Sequence, residues 1–343
     1  MTSLAADVAA ASNNTKGKNA MPSNPYYSGP PSGHFDGLRF FNPGQAGTDR
    51  SLGDMWQWQS ANQRARWPNS MPITANIPPT RSKSLRVTMV GHATTLMQVG
   101  GLNILTDPVW SKRASPVQWA GPSRVTEPGI AFDRLPPIDL VLLSHNHYDH
   151  LDLPTLRRLV ARDAPRILTP LGNDTIVRRA VPAAKIEAGD WGDRYSLPQG
   201  GEVTIVRANH WSSRTGRDRR MALWGGFMLR LASKLVYFAG DTGYGDIFQP
   251  LRAEFGEPDL ALLPIGAYAP RWFMAAQHCD PAQSVRIFEE IGAKQAIAVH
   301  WGTWQLTDEP RDEPPLLLSR ALAERGITQD RFAVLNPGEW LIP

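Results

Sequence analysis

Ser144-His145-Asn146-His147-Tyr148-Asp149-His150-Leu151-Asp152 decides the reading of this chain. It gathers three of the protein's eight histidines and an acid within six positions. Protonated imidazoles so close together repel one another and add little to packing. Neutral imidazoles with an anionic oxygen, in contrast, suit a divalent metal such as zinc. The apolar run Asp139–Leu143 before the motif reads as a buried strand. The motif therefore begins where a strand ends, the edge at which open α/β sheets place ligands. Behind it, Asp152 is positioned to cap a helix with Pro154 in its first turn, running to about Arg162.

Three further segments repeat the pattern. Val203–Arg207 leads to His210, Leu235–Phe238 to Asp241 and Ala296–Val299 to His300. Singly, His210 or His300 reads as a hydrogen-bonded structural histidine. Together, each behind a strand, they join the motif to give seven candidate metal ligands: His145, His147, Asp149, His150, His210, Asp241 and His300. Gly240-Asp241-Thr242-Gly243 has the glycines that close backbone approach requires.

The 343 residues are enough for a large core, and 42% hydrophobic with 20% charged residues is ordinary for a globular enzyme. No apolar run is long enough to span a membrane. Cys279, the single cysteine, excludes an internal disulfide. Net charge is +4, and 29 arginines stand against 7 lysines. Arginine suits phosphate recognition, but a genomic preference for arginine codons accounts for the same excess. So mild a basic balance does not demand nucleic acid.

Residues 1–25 read as a disordered N-terminus without the pattern of a secretory signal, and 26–83 as an irregular arm pinned by Trp56, Trp58 and Trp67. The domain proper spans 84–343. Its strands are expected at 85–90, 95–99, 102–106, 139–143, 167–169, 203–206, 223–231, 235–238, 260–263 and 296–299, with Gly100-Gly101 as a hairpin turn. Helices are expected from Asp280-Pro281 to Ile291, closed by Gly292, and from about Pro315 to Arg325. Many strands with interspersed helices imply two packed sheets with helices outside.

With these pieces the chain resembles the metallo-β-lactamase superfamily, and within it the N-acyl-phosphatidylethanolamine-hydrolysing phospholipases D. Besides Ser144–Asp152, the similarity rests on Val90–Thr94, Leu105–Pro108, Arg113–Pro116, Leu135–Asp139, Gly240–Tyr244, Pro264–Phe273, Gln277-His278 and His300–Thr303. It covers roughly 84–340; residues 1–80 carry no matching motif.

The resemblance implies an α/β fold of the αββα sandwich type and two Zn²⁺ per chain. One zinc would take His145, His147 and His210, the other Asp149, His150 and His300, with Asp241 and a hydroxide bridging them. The metals would leave a net positive charge to attract a phosphodiester and lower the pKa of the bridging water. The implied reaction is hydrolysis of N-acyl-phosphatidylethanolamine to phosphatidic acid and an N-acylethanolamine. Asp149 and His278 are the implied catalytic residues, His278 as proton donor or phosphate contact. His92 reads equally as support behind the ligands or as structural. Arg214, Arg217, Arg219 and Arg220 crowd the loop after His210, where they either meet anionic headgroups or are simply solvated.

The expected partner is a phospholipid, in the cytoplasm, with peripheral membrane contact and a homodimer left open; no nucleic acid is expected. Two other readings compete. The same site would serve a hydrolase of a sugar-phosphate lactone or RNA end, or a metal-dependent binding or regulatory protein with little turnover.

Overall fold

The computed structural model describes residues 23–45, 47–61 and 63–343. Fourteen strands among them form two seven-stranded sheets. The first sheet contains β1 (Arg86–Gly91), β2 (Thr94–Val99), β3 (Leu102–Thr106), β4 (Leu140–Leu142), β5 (Arg166–Pro170) and β6 (Lys185–Gly189). The second contains β7 (Arg194–Leu197), β8 (Gly201–Val206), β9 (Gly226–Leu231), β10 (Lys234–Phe238), β11 (Leu260–Pro264), β12 (Gln295–Val299) and β13 (Phe332–Ala333). The chain then returns to the first sheet, where β14 (Trp340–Leu341) pairs antiparallel with β1.

Residue alternation builds the layers. Leu140 and Leu142 of β4 point inward with Ile104 and Leu168, against Val203, Phe227, Val236 and Leu262 of the opposite sheet. Val141 and Ile167 point outward, onto α2 (Leu153–Asp163) and α3 (Asn173–Ala180) through Leu156, Leu159 and Val177. The second sheet's outer face, including Tyr237, Ala261 and Leu263, is covered by α4 (Phe248–Phe255), α6 (Pro281–Ile291) and α7 (Glu313–Glu324). Near-continuous burial on both faces fits the parallel stretches β3–β5 and β10–β12. The result is the expected αββα sandwich.

Gly100 and Gly101 take φ of 58° and 82° between β2 and β3, the positive pair that a type I′ hairpin requires. Asp280 caps α6 by accepting from the Gln283 amide, and Gly292 ends it in the left-handed conformation. Asp152, however, is a cap by position only: it makes no side-chain capping bond to α2. Its carboxylate instead accepts from the backbone amides of Trp110 and Ser111 and the hydroxyls of Ser111 and Thr155. It ties the ligand loop to the segment after β3.

Of the stretch expected to be disordered, residues 1–22 lie outside those described. Asn24 is fixed, since its amide donates to the Leu38 and Met221 carbonyls at 2.8 Å each. The arm is less irregular than its composition suggests. It contains α1 (Leu52–Ser60), opened by reciprocal bonds between Ser51 and Asp54. Trp58 and Trp67 anchor the arm through their indole N–H groups, to Asp308 Oδ2 and Glu309 O. Trp56 does not, being 73% exposed; Phe35 and Phe40, buried against Leu223 and Trp224, take the anchoring role instead.

Candidate metal centre

The strands β4, β8, β10 and β12 all run out at one edge, and their following residues carry the candidate ligands. Gly240 makes the convergence possible. It has φ of 61°, and a Cβ there would lie 2.8 Å from Ser144 Cβ and 2.9 Å from the Gly225 carbonyl oxygen. Backbone strain accumulates around the same point: His92, Asp107 and His300 are non-glycine residues with φ of 57°, 33° and 60°.

All seven predicted residues come together, in two groups. His145 Nε2 and His210 Nε2 lie 2.8 and 3.2 Å from His147 Nδ1. His150 Nε2 and His300 Nε2 each lie 3.3 Å from Asp149 Oδ2. Asp241 Oδ2 stands between the groups, 3.8 Å from His145 Nε2, 3.6 Å from His210, 3.2 Å from His150 and 3.0 Å from His300. Two ligands about 2.0–2.1 Å from a tetrahedral ion are roughly 3.3 Å apart, so these spacings suit metal.

The buried polar inventory agrees. Among the described residues, His147 Nε2, His150 Nε2, both ring nitrogens of His300 and Asp241 Oδ1 have no hydrogen-bond partner. So many orphaned atoms in one buried cluster are costly unless a cation takes their lone pairs. The cluster is able to hold metal.

Its electrostatics point the same way. Burial, reinforced by neighbouring imidazoles, holds His145 well below its ordinary pKa. Burial outweighs the nearby carboxylates at His147 and His210, lowering each to about 3, so these rings present lone pairs. Burial also opposes charge on Asp241, but His150 and His300 override it and hold the carboxyl well below its usual range. At His300 burial is in turn overcome by the Asp241 carboxylate and the nearby Asp149 carboxylate, which push it up to about 9. The carboxylates thus create a demand for positive charge at the mouths of these rings, which a divalent ion meets.

A second layer aims the ligands. Asp107 Oδ2 accepts from His150 Nδ1 at 2.6 Å and from the Ser144 hydroxyl, whose oxygen accepts from His145 Nδ1 at 2.9 Å. His210 Nδ1 donates to the Gln277 carbonyl at 2.8 Å. Each of these bonds fixes a tautomer that leaves Nε2 free to face the centre. Sequence reading passed over Asp107 as a site residue, although Thr106-Asp107-Pro108 closes β3 just as the other ligand segments close theirs. His92, left between two readings, donates from Nε2 to Asp149 Oδ2 at 2.9 Å, and its ring lies tilted 4.0 Å from that of His300. It positions Asp149. His278 lies where Asp241 and His300 can be reached, with one ring nitrogen within 4.8 Å of theirs and Nδ1 unpartnered among the described residues.

The arginine loop does not form a free cationic face. Arg214 donates to the Asn146 and Leu151 carbonyls and lies 3.9 Å over Tyr148, bracing the ligand loop itself. Arg219 and Arg220 both pair with Asp49 of the arm, and Arg219 stacks 3.5 Å over Trp211. Only Arg217 of the four is exposed. Buried carbonyls and a carboxylate from the arm compete for the guanidinium groups better than solvent does. Among the described residues no helix is long and apolar enough to cross a membrane.

Comparisons with known proteins accord with this geometry. Residues 102–301 match the model of the beta-lactamase superfamily domain. An uncharacterized protein of Mycobacterium tuberculosis is 35% identical over 296 residues, covering 84% of this chain and 77% of its own length. The N-acyl-phosphatidylethanolamine-hydrolyzing phospholipase D 1 of Caenorhabditis elegans is 34% identical over 270 residues, 74% of this chain and 75% of its own. In three dimensions, a possible metal-dependent hydrolase from Veillonella parvula superposes with a TM-score of 0.61 at 17% identity, covering 76% of this chain and 100% of that one. That last likeness is one of fold. With more than half its length matched by the family model and the ligand edge assembled as the fold requires, the chain belongs to the metallo-β-lactamase superfamily of metal-dependent hydrolases.

Proposed function

We propose that the protein is a dinuclear zinc phosphodiesterase that hydrolyses N-acyl-phosphatidylethanolamine to phosphatidic acid and an N-acylethanolamine. The observation that carries this reading is an apolar cavity continuous with the metal cluster. Its volume is about 440 Å³, and Met55, Trp58, Trp211, Phe273 and Leu306 share its lining with Asp149, Asp241, His278 and His300. A charged headgroup at the cluster with acyl chains along the wall satisfies both halves. The similarity to the nematode phospholipase supports the same substrate.

His145, His147 and His210 would hold one zinc, Asp149, His150 and His300 the other, and Asp241 both. The ions would supply Lewis acidity and a water deprotonated near neutral pH. The chain's own residues do the rest. Asp107, Ser144 and the Gln277 carbonyl keep the imidazoles aimed, His92 keeps Asp149 in place, and the aromatic wall keeps bulk water from the reacting phosphate. Arg50, which also lines the cavity, adds positive charge where the phosphodiester would enter. His278 would act on the leaving oxygen.

Attack at phosphorus forms a bond from the water oxygen to phosphorus and breaks the bond from phosphorus to the ethanolamine oxygen, which takes up a proton. In ¹⁸O-water, mass spectrometry is therefore expected to find the label in the phosphate of phosphatidic acid. Label in a released fatty acid would mean ester hydrolysis and end the phospholipase D reading.

Peripheral membrane contact belongs to the same proposal. Helix α1, which supplies Met55 and Trp58 to the cavity, also bears Leu52 at 90% exposure and Trp56 at 73%. Burying two such side chains in a bilayer surface contributes about 1.5–3 kcal/mol each. Leu52→Ser with Trp56→Ser is expected to weaken vesicle binding at least tenfold (about 1.4 kcal/mol) and to spare turnover of a soluble phosphodiester. Unchanged vesicle binding would remove α1 from the membrane face.

A further inference from the structure

A second cleft lies behind the metal centre, with Arg124 in its wall. Its lining of Arg64, Lys112, Arg113, Arg124, Ser70, Ser123 and their neighbours shares no residue with the apolar cavity. We propose that this cleft is an oxyanion site that takes a phosphate group, free or carried by a lipid headgroup.

Arg124 carries the argument. It is 7% exposed, and its Nη2 donates to the Val109 carbonyl at 3.2 Å. Among the described residues Nε and Nη1 have no partner, and the carboxylates of Glu127 and Asp152 act on the guanidinium only from beyond ion-pair distance. The guanidinium carbon sits 4.9 Å from the ring centre of Trp304, which contacts the positive charge but cannot neutralise it. A buried cation without a directly paired counter-ion or a full set of acceptors is expensive. Elsewhere in this protein the buried charges of the metal cluster and of Arg214 find acceptors or opposite charges. Arg124 instead lines a cleft.

The cleft supplies the rest of an anion site. It encloses about 800 Å³, more than a bare phosphate needs, so a phosphomonoester fits as well. Four cationic side chains line it against one carboxylate, that of Glu127. Lys112 is exposed and has no ion-pair partner among the described residues. The Ser70 and Ser123 hydroxyls add neutral donors. Several cations around one buried guanidinium match an oxyanion carrying more than one charge better than a lone carboxylate. Trp304 separates this site from the ligands, its ring lying 4.9 Å from that of His92. The proposal therefore does not depend on which substrate the metal centre hydrolyses.

The metal-loaded protein tests it. Crystals soaked in arsenate are expected to show an anomalous peak within hydrogen-bonding distance of Arg124, separate from any at the metals. Calorimetric titration with inorganic phosphate is expected to lose about ten- to a hundredfold in affinity for this site in Arg124→Gln. Lys112→Glu, on the surface and harmless to folding, is expected to cost about two- to fivefold. Sedimentation with phosphatidylcholine vesicles, with and without phosphatidic acid, assigns the source. Binding gained with phosphatidic acid and lost in Lys112→Glu supports a headgroup, and phosphate binding without it supports a soluble anion. No arsenate near Arg124, together with phosphate and vesicle affinities unchanged in Lys112→Glu, would overturn the proposal and leave Arg124 hydrated only.

Discussion

Replacing Asp241 with alanine is expected, on the dinuclear reading proposed above, to empty both metal positions at once, from about two ions per chain to fewer than one, and to lower turnover by more than about 10⁴-fold. The expectation follows from one atom. Asp241 Oδ2 is within 3.8 Å of a nitrogen from each of His145, His150, His210 and His300, so it belongs to both groups. Outer partners of metal ligands alone are worth about 10–100-fold in affinity, and a carboxylate shared by two ions exceeds that. Its loss also leaves the buried rings of His150 and His300 without the charge that opposes theirs. The water needed for attack would then return toward the far higher pKa of bulk water, removing several decades of nucleophile at neutral pH. Metal content by atomic emission checks the first part and lipid turnover the second. Asp241→Asn keeps the shape and removes the charge, so agreement between the two variants excludes a simple packing defect. Two ions held at unchanged affinity in Asp241→Ala would remove the shared carboxylate from the centre.

The seven candidate ligands, Asp241 among them, were legible because their signal is local. Each closes a short apolar run, and strand ends at a parallel edge converge whatever the loops between them do. The inner strands and α6 were legible for the same reason: burial on both faces, or an Asp-Pro start and a Gly stop. The short pieces β13 and β14 were not, since two residues carry no period. Strand β6 begins with an exposed Lys185 and carries Glu187, a pattern that reads as loop until pairing with β5 is known.

Helix α1 could have been found from Ser51 and Asp54, a capping pair hidden in a polar arm. The fate of Arg214 could not, because its acceptors at Asn146 and Leu151 lie more than sixty positions earlier in the chain. The same distance hid the role of Asp107, whose partner His150 is 43 residues away. Residue type announced what could bind metal. Only the fold shows which side chains hold those ligands still.

His278→Gln is expected to retain both metals and to lose about 10²–10⁴-fold in turnover of the lipid. The ring stands 5.0 Å from that of His210 and 5.3 Å from that of His300, yet its Nδ1 has no partner among the described residues. It also lines the apolar cavity, which the ligands' aiming bonds leave it free to serve. An alkoxide leaving phosphorus develops nearly a full negative charge, and a ring N–H beside it can protonate it or share the charge. Burial holds His278 well below its ordinary pKa despite the pull of Asp241. Burial thus favours the uncharged ring, and negative charge arriving with the substrate would favour its protonation. Two consequences separate donation from mere holding. A substrate with a p-nitrophenolate leaving group needs no proton, so the loss there is expected to be far smaller than on the lipid. An equal loss on both would assign His278 to the phosphate instead. The second consequence lies in the proton inventory. If His278 delivers the proton, the solvent isotope effect on lipid turnover is expected to shrink in His278→Gln, as departure of the alkoxide becomes limiting without a donor. Glutamine keeps an N–H for holding but cannot ionise, so turnover unchanged in this variant would confine His278 to binding or structure.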